Sequence, residues 1–390
     1  MKIAILSRAP RSYSTRRLRE AAASRGHTVR VHDTLRFSIY VEEETPRLFY
    51  AGKPIPRYDA VIPRIGASVT FFGNAVVRQF EQMGVLALTP ATGIAMSRDK
   101  LRAMQILSRH DIGIPPSAFV RDRGDVLDAI ARVGGAPVIV KLLEGTQGIG
   151  VVLAESEKLA EAIVHMLQVT KQNVLIQKFV AESKGRDIRA IVVGGRVVAA
   201  MRRRAQGQEF RSNIHRGGKA EPVELDDVYE RTAVKAARIL GLRVAGVDIL
   251  EGADGPQVLE VNSSPGLEGI ETATGVDVAG AIVEHLEEQA HLPEVDLRQQ
   301  LSLGQGYSVA ELPVTEASIL AWKTLRELHL SDMEVLVLSI RRGGLLLPAP
   351  RGATTILPGD MLTCYGKRSA LKELIPFAPP KKRGRGKGKA

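Results

Sequence analysis

Between Val244 and Asn262, acidic residues interrupt an otherwise apolar pattern that reads as two strands joined by a Gly/Asp/Gly/Pro turn. This is the signature of a β-hairpin. Strand alternation sends Val258, Glu260 and Asn262 to one side and Leu259 and Val261 to the other. With the loop centred on Asp254, Asp248 falls opposite Glu260. Two facing carboxylates repel, and apolar surroundings make this worse. A divalent cation removes the conflict, and the oxygens of Asp248, Glu260 and Asn262 are donors that hard Mg²⁺ or Mn²⁺ prefers. The bland alternative is an acid solvated at a sheet edge. The second strand runs into Ser263-Ser-Pro-Gly-Leu-Glu-Gly269, whose backbone can approach a ligand closely, so the metal reading gains if the chain also holds a nucleotide.

Lys141 sits on the apolar run 137–143. An ammonium buried there without a partner costs several kcal/mol, so an anionic ligand or a paired acid such as Glu144 is expected. The loop that follows, with Gly145, Thr146, Gln147, Gly148 and Gly150, fits neither GxxxxGK[ST] nor GxGxxG and leads into a strand. Exposed N–H groups of a β-loop-β flap, rather than a helix N-terminus, would then hold phosphates. As a plain hairpin turn the same loop would bind nothing. Farther on, Arg203, Arg211, Asn213 and Arg216 supply guanidinium and amide groups suited to a transferring phosphoryl group and a carboxylate substrate. Taken singly, each reads as a surface residue. His215 pairs with no nucleophile and reads as structural.

The elements that must position these residues follow from periodicity. Alternating strands (2–6, 28–31, 60–65) and helices (13–24, 71–83) point to a small parallel α/β layer. Its first strand leads into Ser7-Arg-Ala-Pro-Arg11, which is no dinucleotide fingerprint. A helical pattern over 91–110 ends at Gly113-Ile-Pro-Pro116. Strands are then expected at 119–120, 137–143, 151–154 and 174–180, a hairpin at 188–201, and helices at 125–133, 156–169, 226–240 and 276–289. The polar stretch 291–300 reads as a linker to a further small domain.

At 390 residues and 44% hydrophobic content the chain suits two or three soluble domains. No apolar run reaches transmembrane length, and nothing resembles a signal-peptide core. The single cysteine, Cys364, excludes an intrachain disulfide and suits a reducing compartment, so cytoplasmic localisation is expected. Six basic residues of the tail 381–389 supply over half of the net charge of +11, which reads as a solubilising tail. Aromatic content of 4% argues against a base-stacking platform.

Taken together, the Lys141 strand, the Gly-rich flap, Leu175-Ile-Gln-Lys-Phe-Val180, Asp187-Ile-Arg189 and Asp248 with Glu260-Val-Asn262 resemble the ATP-grasp carboxylate–amine ligases. Val61-Ile-Pro-Arg-Ile-Gly66, Arg98-Asp-Lys-Leu-Arg102, the run 144–154, Phe210-Arg-Ser-Asn213, His215-Arg-Gly-Gly218 and Pro265-Gly-Leu-Glu-Gly-Ile270 resemble, more narrowly, the RimK family. That family adds glutamate to the C-terminus of a small-subunit ribosomal protein. The resemblance implies that Lys100 and Lys141 contact ATP phosphates, that the backbone at Lys178 and Phe179 holds adenine, and that Asp187 holds ribose with Arg189 in the same nucleotide site. It also implies that Arg211, Ser212 and Asn213 lie near the phosphates, that Arg203, Arg211, Asn213 and Arg216 serve the chemistry, and that Asp248, Glu260 and Asn262 bind two Mg²⁺ or Mn²⁺ ions. Lys178 stands where the family usually has Glu, a change that main-chain contacts to adenine survive. Beyond residue 300, segments 307–314, 323–330, 335–342 and 356–366 resemble the TrkA-C (RCK C-terminal) domain, a strand-helix-strand-hairpin unit that usually dimerises and can bind small ligands. Trp322 stands where that pattern often has Gly, and would fill a groove otherwise open.

The expected fold class is therefore α/β and α+β: a pre-ATP-grasp α/β domain over 1–95, an ATP-grasp domain over 96–290, a linker over 291–302, a small α+β TrkA-C-like domain over 303–378 and a disordered basic tail over 379–390. The expected activity is ATP-dependent ligation of L-glutamate to the C-terminus of an acceptor ribosomal protein through an acylphosphate. Alternatives are a ligase for another amino acid, short peptides or poly-glutamate, and a nucleotide-sensing regulator without turnover. Homo-oligomerisation, a small ligand at the C-terminal domain and ribosome contact through the tail are further expectations, and membrane insertion is not.

Overall fold

The structure is a computed structural model and describes residues 1–43, 45–143, 150–169, 171–206, 218–291 and 306–374. The chain divides into two compact units, Met1–Pro293 and Glu294–Ala390. In the first unit, β1 (Lys2–Leu6) and β2 (Thr28–His32) are followed by a small antiparallel sheet of β3 (Phe37–Tyr40), β4 (Arg47–Tyr50) and β5 (Lys53–Pro54), then by β6 (Ala60–Pro63) and β7 (Leu86–Ala87). The order β2-β1-β6-β7 is fully parallel, as the α/β alternation predicts. Both faces of β1 are covered: Ile3 and Ile5 pack with Leu18 and Ile282, while Ala4 and Leu6 pack with Val76 and Phe80. A continuous apolar strand is the expected consequence of burial on two sides.

The helix expected over 91–110 is two helices, Ala91–Arg98 and Lys100–Ser108. Asp99 breaks it with an extended backbone and caps the second helix by accepting from the N–H of Arg102. Asp is among the strongest N-caps, so it competes well against helix continuation. The break puts Arg98 at the end of one helix and Lys100 at the start of the next.

Two antiparallel sheets make the rest of this unit. β8 (Ser117–Phe119), β9 (Val138–Leu142), β10 (Val151–Ala154) and β11 (Val174–Lys178) pair in the order β10-β9-β11-β8. Val138, Val140 and Ile176 pack onto helices Val126–Arg132 and Glu157–Val169 through Ile130 and Val164. By alternation, Lys141 lies on the other face. The second sheet, β12 (Arg186–Val193), β13 (Arg196–Arg204), β14 (Lys219–Pro222), β15 (Val244–Gly252) and β16 (Gly255–Asn262), has the order β14-β13-β12-β15-β16. One face buries Ile188, Ala190, Val247 and Val261 against Ala233, Ala236 and Ala237 of helix Asp227–Ile239. The opposite face is apolar at Ile191 and Val193 and charged at Asp187 and Arg189.

The second unit has β17 (Tyr307–Pro313), β18 (Val335–Arg342), β19 (Leu345–Pro348) and β20 (Met361–Lys367) in the antiparallel order β17-β20-β18-β19. Leu312, Ile340, Leu362 and Cys364 are in its core, where burial pushes the Cys364 thiol up to about 12. Segment 323–330, expected as a helix, makes only turns before a 3₁₀ helix at Leu330–Met333. Its start is well formed: Thr324 and Glu327 bond each other's N–H groups, a capping box. His329 and Glu334 then adopt left-handed φ values of 45° and 57°, which end any right-handed helix. Trp322 fills no groove: it is 67% exposed and itself has φ 65°. Most of the linker and the whole basic tail lie outside the described residues.

Candidate active site

The hairpin of β15 and β16 pairs Asp248 with Glu260, as expected, but by a different route. Gly252 pairs with Gly255, so the turn holds two residues rather than the three implied by a centre at Asp254. That register alone would set Asp248 against Leu259. A β-bulge between the pairs Asp248–Glu260 and Ile249–Val258 leaves Leu259 unpaired and restores the match. The bulge corrects the expected facing: Val258 turns into the core beside Val261, and only Glu260 and Asn262 share the side of Asp248. The same hairpin thus packs one face and holds polar groups on the other.

Asp248 is 4% exposed and belongs to a charge ladder across three strands. Arg189 donates Nε to its Oδ1 (2.7 Å) and an Nη to its Oδ2 (2.6 Å), and Arg203 reaches Oδ2 at 3.0 Å. Arg203 also grips Asp187 with two bonds of 2.6 Å. The register dictates these pairs, since Asp187 faces Arg203 and Arg189 faces Asp248. Burial alone would raise the Asp248 carboxyl, but Arg189 and Arg203 hold it below the usual carboxylate range. Burial would likewise depress Arg203, and Asp248 and Asp187 outweigh it.

Cations line the neighbouring region. Lys141 donates Nζ to Gln177 Oε1 (2.6 Å), and Gln177 donates to Ser117 Oγ (2.8 Å). A neutral amide holds the ammonium without neutralising it. Burial pushes Lys141 down to about 8, opposed by Glu260 and Asp248 and helped by Lys100. Lys100 Nζ approaches the carbonyl of Leu142 at 3.5 Å; burial lowers its value and Glu260 opposes this. Arg98, lowered by burial, also senses Glu260. Arg64 donates to the carbonyl of Pro265 (2.7 Å) and is pushed down to about 10 by burial, with Arg98 adding to the fall. Arg64 and Arg98 lie within quoted motifs, yet sequence reasoning gave them no role. Their spacing in the chain carries no sign that they meet.

Among the described residues no three His, Cys, Asp or Glu side chains group as metal ligands. The candidate donor set is instead two carboxylates and an amide. Asn262 Nδ2 and the neighbouring Ser263 Oγ are buried without hydrogen-bond partners among the described residues. Asn262 Oδ1, on the same side of the hairpin as Asp248 and Glu260, is the amide atom that an ion would take, whereas the Nδ2 donor calls for an acceptor.

At the expected adenine hinge, Lys178 already donates its N–H to the carbonyl of Pro116 (2.8 Å), whereas the N–H of Phe179 meets no acceptor among the described residues. Gly150, just before β10, has φ 75°, and a Cβ there would come within 2.6 Å of Leu142. Gly145, Thr146, Gln147, Gly148, Arg211, Ser212, Asn213, His215 and Arg216 lie outside the described residues, as does Glu144, the proposed partner of Lys141. No described helix is long and apolar enough to cross a membrane.

Residues 97–286 match the RimK-like ATP-grasp domain, residues 1–94 the RimK PreATP-grasp domain and residues 309–378 the TrkA-C domain. A probable alpha-L-glutamate ligase of Rhodopirellula baltica is 59% identical over 383 residues, covering 98% of this chain and 95% of that protein. Another, of Aeromonas salmonicida, is 59% identical over 290 residues, covering 74% of this chain and 97% of its own. Among solved structures, the ATP-grasp ligase PsnB complexed with a phosphomimetic variant of minimal precursor, Mg and ADP is 25% identical, with a TM-score of 0.58 over 74% of this chain and 98% of that chain. A RimK domain ATP-grasp protein of Sphaerobacter thermophilus shares the fold, with 23% identity and a TM-score of 0.56 over 74% of this chain and all of that one. With its PreATP-grasp and ATP-grasp domains followed by a TrkA-C domain, this chain belongs to the RimK family of ATP-grasp ligases.

Proposed function

We propose that the protein joins L-glutamate to the C-terminal carboxylate of an acceptor polypeptide at the expense of ATP, with a small-subunit ribosomal protein as acceptor. One observation carries the reading: Asp248 and Glu260 oppose each other across a hairpin that carries Asn262 on the same side, and Lys141, Lys100 and Arg98 all sense Glu260. The names of the Rhodopirellula and Aeromonas relatives point to glutamate, and the PsnB complex points to a peptide acceptor with Mg and ADP.

In this reading Asp248, which must first give up one of its Arg189 or Arg203 bonds, would join Glu260 and Asn262 in holding two Mg²⁺ or Mn²⁺ ions, which when bound supply charge neutralisation to the ATP phosphates. Lys100 and Lys141 bind phosphate oxygens, under a flap formed by Gly145, Thr146, Gln147, Gly148 and Gly150. The Phe179 N–H donates to a ring nitrogen at the adenine edge, a contact that Lys178 cannot duplicate because its own N–H is committed to the carbonyl of Pro116. A ribose role for Asp187 requires one of its two Arg203 bonds to exchange. Arg203 acts as a positioning residue that fixes Asp248, together with Arg189. Arg211, Ser212, Asn213 and Arg216 meet the transferring phosphoryl group and the acceptor carboxylate. That carboxylate attacks the γ-phosphorus, releasing ADP and giving an acylphosphate. The glutamate amine then attacks the acyl carbon, phosphate leaves, and the amine proton passes to solvent or phosphate.

The test is ADP release by the full-length protein with ATP, L-glutamate and a peptide ending in the C-terminal sequence of a candidate acceptor, with masses of the peptide and of whole ribosomal proteins before and after. Turnover needing all three substrates and a mass gain of whole glutamyl units are expected. ATP hydrolysis indifferent to glutamate, or a gain matching another amino acid, sinks the reading.

A further inference from the structure

Neither Arg64 nor Arg98 bonds a residue given a metal or nucleotide role above, although Arg98 feels the charge of Glu260. Arg64 follows β6 directly and donates its backbone N–H to the carbonyl of Leu6, the last residue of β1 (2.9 Å). It therefore stands where the carboxyl ends of β1 and β6 adjoin. In the order β2-β1-β6-β7, the chain leaves β1 toward one edge for β2 and toward the other for β6 and β7. The crevice between β1 and β6 is thus the topological switch point, where open parallel sheets hold their ligands. Arg98 reaches the same place from the end of helix Ala91–Arg98 by donating to the carbonyl of Ile65.

Neither guanidinium has a carboxylate partner among the described residues. Each side chain makes one hydrogen bond, to a main-chain carbonyl, and Arg98 Nε is buried with no acceptor. A guanidinium carries five N–H donors in a planar fork, so most of this capacity is unused. Burial lowers Arg64, and repulsion from Arg98 adds to the fall. A bound anion relieves both the repulsion and the unpaired donors.

Of the free carboxylates in the proposed reaction, the acceptor's must keep a lone pair for attack on phosphorus. A carboxylate clamped by two guanidiniums has its lone pairs engaged. Glutamate brings two carboxylates that do not react and an amine that does. We propose that Arg64 and Arg98 bind the side-chain carboxylate of the incoming glutamate and thereby select an acidic donor. This assignment rests on the ligase reading.

The experiment measures steady-state kinetics of full-length wild type, Arg64→Gln, Arg98→Gln and the charge-keeping Arg98→Lys, varying glutamate, ATP and acceptor in turn, with thermal unfolding alongside. KM for glutamate is expected to rise at least about tenfold in the Gln variants and less in Arg98→Lys, which keeps charge but loses the fork. KM for ATP should hold, and the preference for glutamate over glutamine should shrink. A glutamate KM unmoved in folded variants, or a rise confined to the acceptor's KM, overturns the assignment while leaving the ligase reading intact. Wild type without glutamate-dependent turnover overturns the ligase reading, and this assignment with it. Should Arg64→Gln fail to fold, the Arg98 pair of variants decides alone.

Discussion

Two neighbouring parts of the first unit treat charge in opposite ways. On β12, β13 and β15, Asp187, Arg203, Asp248 and Arg189 form a closed set of two acids and two arginines, with every carboxylate bonded at 2.6 to 3.0 Å. Around Glu260, by contrast, Lys141 rests on a neutral amide, and Arg64 and Arg98 on main-chain carbonyls. A buried ion pair loses hydration and regains it as mutual attraction, so the first set holds shape. Buried cations without anions keep the desolvation cost and have attraction to offer an incoming ligand. The difference separates a paired set, from which Asp248 and Asp187 must be partly released before they take a ligand, from cations that already wait for one.

The comparison breaks most readily at Arg203. Arg203→Met leaves Asp187 without its partner and Asp248 with one, and should cost about 3–5 kcal/mol of stability in urea unfolding. A loss below about 1 kcal/mol would show that the carboxylates find other partners and that the ladder holds little. Glu260→Gln tests the other set: its side chain is exposed, so unfolding should shift by less than about 0.5 kcal/mol while kcat falls on the order of 10²- to 10³-fold. Near-normal turnover at limiting Mg²⁺ would remove Glu260 from the ion site.

Lys141 sharpens the contrast further. Lys141→Met removes an ammonium that pairs with no carboxylate among the described residues, so stability at neutral pH should hold or rise, while ATP affinity weakens about 10- to 100-fold for one lost charge-assisted bond. The pH dependence follows from its value near 8. The folded state gives up this proton more readily than the unfolded chain, so wild-type stability rises as pH climbs from about 8 toward the ordinary lysine value, and the advantage of the variant fades over that window. ATP affinity moves the other way: it needs the protonated amine, so it should drop about tenfold from pH 7 to pH 9 in wild type and stay flat in Lys141→Met. Titration calorimetry across that range checks both, and a flat wild-type profile would detach Lys141 from the phosphates.

The smallest effect belongs to the second unit, where backbone rather than charge is at odds with its residue. Trp322 adopts φ 65° with its ring largely in solvent. Trp322→Gly should relieve about 0.5–1 kcal/mol, since the left-handed region penalises a Cβ and the ring gives little packing in return. A fall in melting temperature would mean that the exposed ring covers apolar surface after all.

Much of the fold was legible in the chain because its signals are local. The apolar run Ile3 to Leu6 is a strand buried on both faces, helix Tyr13–Ser24 begins and ends where its pattern does, and the acids of the hairpin meet. Asp99 is a readable cap, yet the apolar pattern over 91–110 runs through it as one long helix. The Thr324–Glu327 capping box promised a helix that the left-handed backbone at His329 then cut short.

What sequence alone determined, then, was the set of donors: carboxylates, amide, lysines and arginines, each on a recognisable strand or cap, because residue type and alternation are properties of a short stretch. Only the tertiary structure decided which of them are partners. Asp187 and Arg189 are two residues apart on one strand, yet one is taken by Arg203 and the other by Asp248, through pairings with different strands. Arg64 and Arg98 come from separate elements and converge at a sheet switch point that exists only once β1, β6 and the loop at Pro265 are assembled. The bulge at Leu259, which turns Val258 inward and Glu260 toward the cations, has no local signal, since it is set by the packing of Val258 and Val261 against helix Asp227–Ile239. Long-range pairing and burial decide a charge's partner, and neither is written in its neighbours along the chain.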